Sequence, residues 1–313
     1  MLLLLIIYTN FDVIIMEERK RIDFFTESSR NQIKTYFLFL GFFAFIFLIA
    51  IALKYIFNFA GFGILFIAGI IAIIYGIVGY FLGDKIVLAT SGAQEADSKR
   101  HQYLNNVVEG LSISAGIPKP KVYVIDDDSP NAFATGRDPK HASLAVTTGL
   151  LKIMSRQELE GVVAHEMSHI KNRDIEVMTI TSILFGIISI VSDIALRVLI
   201  FGGSDDSDGK NIVGLIISIA LLILAPLVAM LIQLAISRNR EYLADSSSAK
   251  LTRYPKGLAD ALRKIDSFNQ PVKNASKGTA HMYIANPLEG GGIANLFSTH
   301  PPIKERIKRL DAM

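Results

Sequence analysis

Two histidines and a glutamate stand at a spacing that can hold a metal ion and use it. His165, Glu166 and His169 form an H-E-x-x-H motif within Gly161-Val162-Val163-Ala164-His165-Glu166-Met167-Ser168-His169-Ile170. On a helix, positions four apart share a face, so both imidazoles can reach one ion. Zinc accepts neutral imidazole nitrogens, and the glutamate between them is placed to take a proton from a water held at the metal. Ordinary His and Glu frequencies make a chance match in a chain of this length an event on the order of 1%. Ser155 followed by Glu158 predicts a capping box that starts the helix, and Leu159, Val162, Val163 and Ile170 supply its apolar positions.

The rest of the chain must position this motif, and much of it is apolar. Of 313 residues, 51% are hydrophobic, and the mean hydropathy of +0.40 is high for a soluble domain. The net charge of +3 gives no argument for a nucleic-acid partner. With no cysteine there is no disulfide, thiolate zinc site or cysteine nucleophile, so the six histidines and the carboxylates are the ligand stock.

Four apolar segments reach the roughly 20 residues that a membrane-spanning helix takes. They run from about Tyr36 to Phe57, Phe62 to Leu82, Val177 to Phe201 and Ile212 to Ile236, the last with Pro226 as a kink. Met1 to Ile15 carries no functional reading; its Leu2 to Ile7 stretch is too short to span and lacks the basic lead of a signal peptide. Arg19, Lys20, Arg21, Arg30 and Lys34 precede the first segment, Lys85 follows the second, Lys171 and Arg173 precede the third, and Arg238 and Arg240 follow the fourth. The turn between the third and fourth holds Asp205, Asp206 and Asp208 against Lys210 alone. The bias of basic residues toward cytoplasmic loops then puts both termini and the metal motif in the cytoplasm of a multi-pass cell-membrane protein.

The chain divides on this reading into five stretches: an N-terminal cytoplasmic segment (1–35), a transmembrane hairpin (36–82), a first cytoplasmic part with the metal helix (83–176), a second hairpin (177–236) and a second cytoplasmic part (237–313). In the first cytoplasmic part, Gln94 to Leu111 is expected to be a helix ending near Gly116. Lys121 to Ile125, Ala132 to Thr135 and Ala142 to Thr148 are expected strands, with a turn at Asp126 to Pro130. The second part is expected to be helical around Gly257 to Phe268 and again after Pro302, with a Gly/Asn/Ser-rich loop between them.

Two histidines do not complete a catalytic zinc site, which usually takes three protein ligands and water. The hairpin returns the chain to the same side at Ser237-Arg238-Asn239-Arg240-Glu241-Tyr242-Leu243-Ala244-Asp245. This brings Glu241 and Asp245, four apart, beside the histidines, one as ligand and the other as acceptor for an imidazole N–H. Spacing alone does not choose between them.

The chain resembles the membrane-embedded zinc metalloproteases of the HtpX type, relatives of the CAAX prenyl endopeptidase. The residues that carry the likeness are Asn131 to Gly136, Ala145 to Leu151, His165 to His169 with Asn172 and Asp174, Ser237 to Asp245, and Thr299-His300-Pro301-Pro302 with Arg306-Ile307. The resemblance covers about Gln94 to the C-terminus; Thr299 stands where Ser is expected in many relatives.

It implies a mainly α membrane protein of about four transmembrane helices, with a cytoplasmic α+β zincin-type metalloprotease domain and a small sheet. It further implies one zinc ion per chain held by His165, His169 and Glu241, with Glu166 as general base and acid and Asp245 behind the ligands. His300 and Arg306 would steady substrate or oxyanion as catalytic groups. The strand with Asn131, Ala134, Thr135 and Gly136 would be the edge to which a peptide substrate adds. The expected activity is endoproteolysis of misfolded or damaged membrane-associated polypeptides, a quality-control and stress-response role beside the lipid bilayer. Prenyl-peptide cleavage and a non-proteolytic client-binding scaffold are the alternatives. A transporter built on Asp193 and Arg197 has too few spans for a typical repeat.

Overall fold

The computed structural model describes residues 31, 33–41, 43–44, 63–186, 238–268, 270–276, 278–288 and 301–313. The expected fourth span, most of the first, the acidic turn and His300 lie outside them.

A helix at Gly63–Thr90 leads into the folded domain. It runs past Leu82, where the sequence places the end of the second span, and turns at Ser91 and Gly92 into β1 (Ala93–Glu95). The helix expected from Gln94 is therefore split. Ala93 to Glu95 pairs antiparallel with β2 (Lys121–Ile125), and the helix starts only at Gln102. Two facts explain this. The edge of β2 offers unpaired backbone groups, and the Asp97 carboxylate accepts the N–H groups of Lys99 and Arg100, which holds a turn where a helix would begin. The helix Gln102–Ala115 ends as expected at Gly116, in the left-handed conformation at φ 69°.

The sheet has the order β1-β2-β4-β3, with β3 at Ala132–Gly136 and β4 at Ala142–Thr147. β2 and β4 run parallel while β3 and β4 form an antiparallel pair, so β4 sits inside and β3 lies at the edge. Every residue of β3 and β4 is buried, because helices cover the sheet. The expected strand at Ala142 ends one residue earlier than Thr148, since Thr147 caps the short helix Thr148–Ile153 through its hydroxyl.

The metal helix, Arg156–Lys171, is the central element. Its capping box is present: Glu158 accepts the N–H of Ser155 at 2.6 Å while the Ser155 hydroxyl accepts that of Glu158. Glu158 also binds Lys264 at 2.6 Å, which ties the helix start to a buttressing helix, Pro255–Asp266. All residues from Gly161 to Ile170 are buried, so the helix is packed on every side. Around it stand the helix Gln102–Ala115, the buttressing helix and a return helix, Arg238–Thr252. Leu144, Val146, Val162, Val163, Met167, Leu258 and Leu262 fill the core between sheet and helices. A C-terminal helix, Ile303–Asp311, closes over the buttressing and return helices, where the sequence expects a helix after Pro302.

Candidate metal centre

His165 and His169 leave the same face of the metal helix, one turn apart, and both are at most 3% exposed. Their Nε2 atoms stand 3.2 Å from one another. Each ring is fixed from its other side. His165 Nδ1 lies 3.0 Å from the Asp245 carboxylate, and His169 Nδ1 lies 2.9 Å from that of Asp174. An ionised carboxylate only accepts, so each Nδ1 carries a proton, which leaves Nε2 as the nitrogen that a metal would take.

Glu241 enters from the first turn of the return helix, its carboxylate 3.6 Å from His165 Nε2 and 3.7 Å from His169 Nε2. One donor atom from each of His165, His169 and Glu241 lies within 4.8 Å of the others. Nitrogen and oxygen donors at about 2.0–2.1 Å from one tetrahedral zinc stand roughly 3.3 Å apart, so the triad fits that ion. Of the two acids, Glu241 is the one that stands with both Nε2 atoms. Asp245, one turn further along, reaches the far nitrogen of His165.

The return helix is held in register by Ser248, whose hydroxyl donates to the Gly161 carbonyl of the metal helix at 2.8 Å. Glu241, Ala244, Asp245 and Ser248 thus form a helical stripe facing the metal helix, and none is more than 3% exposed.

Arg306 comes from the first turns of the C-terminal helix and is wholly buried. Its Nε and Nη2 donate to the two Asp245 oxygens at 2.9 and 2.7 Å, and Nη1 donates to the Ile284 carbonyl at 2.7 Å. Nη1 is also 3.5 Å from Glu241. The sequence places Arg306 at the site as a substrate or oxyanion contact. The structure bonds it to Asp245 and to the Ile284 carbonyl, with Nη2 also 3.3 Å from His165 Nε2. His300 lies outside the described residues.

The electrostatics follow from burial in a cluster of opposite charges. Burial works against the Asp245 carboxylate, but the Arg306 cation and the His165 bond overcome it and hold its pKa at about 2. Burial and Arg306 both favour neutral His165. The Asp245 and Glu241 bonds outweigh them and raise its pKa to about 9, so a metal must displace a proton there. Arg306 is itself held in its charged form, its desolvation more than offset by Asp245 and Glu241.

Glu166 differs from every other acid here. It is 1% exposed, and neither carboxylate oxygen finds a hydrogen-bond partner among the described residues. Burial pushes its pKa up. A buried acid left without partners costs stability, and such groups are kept where chemistry needs them.

The expected substrate edge is covered. Tyr283 bridges to Phe133, and Ile284 donates to the Ala132 carbonyl at 2.9 Å. The Asn131 amide donates to the Ala285 carbonyl at 3.1 Å, and the Thr179 hydroxyl lies 3.1 Å from Gly136 N and 2.8 Å from the Thr135 hydroxyl. Asn131, Ala134, Thr135 and Gly136 are all buried. The sequence places them on an edge and carries no local sign that residues 283–285 return to it. Asp174 has no role assigned from the sequence. The signal available was an acid five residues beyond His169, across a turn at Arg173 whose φ of 59° folds the chain back.

The sequence profile of peptidase family M48 matches residues 98–313, most of the described domain. The chain belongs to peptidase family M48. Within it, the chain is 47% identical to a protease HtpX homolog of Caldanaerobacter subterraneus over 91% of this chain and 96% of that one. A protease HtpX homolog of Dictyoglomus thermophilum is 47% identical over 94% and 96% of the two chains. One from Streptococcus gordonii is 43% identical over 92% and 99%. Among solved structures, S. mikatae Ste24p is similar at a TM-score of 0.49 and 21% identity, covering 90% of this chain and 66% of that one. As an M48 peptidase the chain is a metalloprotease with a zincin-type domain and a small sheet, and the His165, His169 and Glu241 donors fit its one zinc ion.

Proposed function

We propose that this protein is a membrane-integrated endopeptidase in which His165, His169 and Glu241 hold zinc and Glu166 moves the proton. The observation that carries this is the pairing of a three-point donor set with a buried, unbonded acid next to it in sequence. Bound zinc would acidify water and polarise the scissile carbonyl. Hydrolysis adds water across a C–N bond, so one proton must leave the water and one must reach the departing amine. Glu166 can serve both transfers in turn, because burial raises its affinity for a proton above that of an ordinary carboxylate. Asp245 and Asp174 keep the imidazoles in the tautomer the site requires, and Arg306 keeps Asp245 ionised.

Glu166→Gln should abolish peptide hydrolysis while one zinc per chain is retained, measured by metal analysis and a peptidase assay on detergent-purified protein. Wild-type activity in this variant would sink the proton role. Loss of zinc would show that Glu166 is a ligand.

The membrane part of the reading has its own supports. Within Gly63–Thr90, the window Ile73–Thr90 is long and apolar enough to cross a bilayer, the one such helix among the described residues. Ile73, Ile74, Ile77 and Phe81 on it are exposed. Gly79 and Gly83, four apart, let residues 179–183 approach closely: a Cβ at either would stand 3.1–3.2 Å from Thr179 or Ile183. Such small-residue pairs are how helices pack in lipid. Four spans at about 36–57, 62–82, 177–201 and 212–236, with both termini and the active site cytoplasmic, belong to this reading, as do the five stretches drawn from the sequence. So do misfolded membrane-associated polypeptides as substrates. Peptide addition to β3 at Asn131, Ala134, Thr135 and Gly136 belongs to it only with residues 283–285 withdrawn from that edge.

A further inference from the structure

The metal helix ends at Lys171, with Asn172 as its cap, and the chain turns back through Arg173 to bring Asp174 under His169. One Asp174 oxygen accepts from His169 Nδ1 at 2.9 Å. The other accepts at 2.7 Å from the side-chain amide of Asn31, 143 residues earlier in the chain. The same amide donates its second hydrogen to the Asn172 carbonyl at 2.9 Å. Asn31 is 1% exposed and helical, as are residues 33–41 and 43–44, which lead into the first apolar segment. Arg240 approaches the same Asp174 oxygen from the return helix at 3.6 Å, beyond hydrogen-bond reach for its Nε.

We infer that Asn31 is a positioning residue of the metal centre, acting through Asp174 on His169. The inference rests on His169 being a zinc ligand. An imidazole ligand must be held within about 0.5 Å and 10–20° of its working orientation. A carboxylate bonded to it through one oxygen fixes the ring only if the carboxylate is itself fixed. Asn31 supplies that. Its two N–H groups bridge the Asp174 carboxylate and the backbone of the turn that carries it, so the turn and the acid are locked as one piece. Removing the amide leaves a buried carboxylate oxygen short of a donor, with the turn free to shift. The N-terminal segment thereby belongs to the support of the active site, although it lies outside the stretch that the family profile matches.

The test uses the full-length protein in detergent and two readouts besides proteolysis. These are zinc affinity by competition with a chromogenic chelator, and the visible absorption spectrum of the cobalt(II)-substituted protein, which reports ligand geometry. Asn31→Ala should lower zinc affinity about three- to tenfold, at or below the low end of what losing a ligand's direct partner does, and should alter the cobalt spectrum. Asn31→Asp, of the same shape, should do more, because it sets a carboxylate against Asp174; it carries the comparison if the alanine variant does not fold. In an Asp174→Ala background, Asn31→Ala should cost less than about twofold further. Thr35→Ala, one turn along the same helix and also buried, should leave affinity and spectrum unchanged. Wild-type affinity and spectrum in both Asn31 variants would overturn the inference. So would an undiminished Asn31→Ala effect without Asp174, or an equal loss in Thr35→Ala, since either makes the effect one of helix docking. Wild-type zinc affinity in His169→Ala would instead remove the ligand reading on which the inference stands.

Discussion

Each imidazole of the metal centre has its own aspartate, and the two aspartates are held differently. Asp245 is gripped by a buried guanidinium at two hydrogen-bonded points, whereas Asp174 accepts from a neutral amide with the Arg240 guanidinium 3.6 Å away. Glu241 lies within reach of both Nε2 atoms, which Asp245 does not. Glu241→Ala should therefore lose zinc outright under chelator washes that leave Asp245→Ala partly loaded. Loss of a direct donor removes a bond, while loss of a ligand's partner weakens affinity about 10–100-fold. Zinc stoichiometry after matched washes checks this, and the reverse order would make Asp245 the ligand. The sequence reached this pair of acids by topology and left the choice open. It could not be made from spacing, because two positions one turn apart differ only in how the helix is rotated and advanced against its neighbour, and that is set by packing.

At the scale of elements, the position of the metal helix depends on how closely its neighbours approach. A Cβ on Gly161 would stand 2.6 Å from the Leu258 backbone nitrogen, and one on Gly257 would stand 2.6 Å from the Gln157 carbonyl oxygen. The metal and buttressing helices cross here in backbone contact, which only glycine permits. Gly161→Ala should destabilise the protein by about 1–3 kcal/mol and lower zinc retention, as overpacking pushes the helix off its neighbour. Gly110→Ala makes the control: it is exposed in mid-helix with nothing within 4 Å of its added Cβ, and should be neutral or stabilising by up to about 1 kcal/mol. Thermal melts of both variants in one detergent decide it, and equal melting temperatures would remove the close-contact argument. The capping box, β2, β3, the Gly116 stop and the buttressing helix were all legible, because each is written in a few adjacent residues. β1 was not. Ala93 to Glu95 has no strand pattern of its own and is extended only because β2 offers it an edge.

Over the whole molecule, the described contacts bring the start of the first apolar segment and the end of the second beside the start of the third: Asn31 bonds Asn172 and Asp174, and Gly79 and Gly83 receive Ile183 and Thr179. The proposed orientation, with the catalytic domain inside, rests on basic residues at every end assigned to the cytoplasm and on aspartates in the turn between the proposed third and fourth spans. Because the chain has no cysteine, single cysteines can be placed and probed with a membrane-impermeant thiol reagent in intact cells. Ser207→Cys should label from outside and Ser276→Cys only after lysis. Labelling of Ser276→Cys alone would invert the orientation. Protection or exposure of both together would mean that residues 177–236 do not cross as a hairpin.

The chemistry was legible from the sequence because it is local. An H-E-x-x-H motif on a capped helix aligns two imidazoles by helical period alone, and it names the acid between them whatever the rest of the chain does. Apolar length likewise marks candidate spans without reference to neighbours. Only the tertiary structure decided which acid completes the triad, which aspartate orients which ring, that Arg306 braces Asp245, and that residues 283–285 cover the edge of β3. These contacts join residues 61 to 154 positions apart, apart from the Asp174 turn. No periodicity or spacing rule reaches across such separations; what brings the groups together is the close packing of buried helices against one another and the sheet.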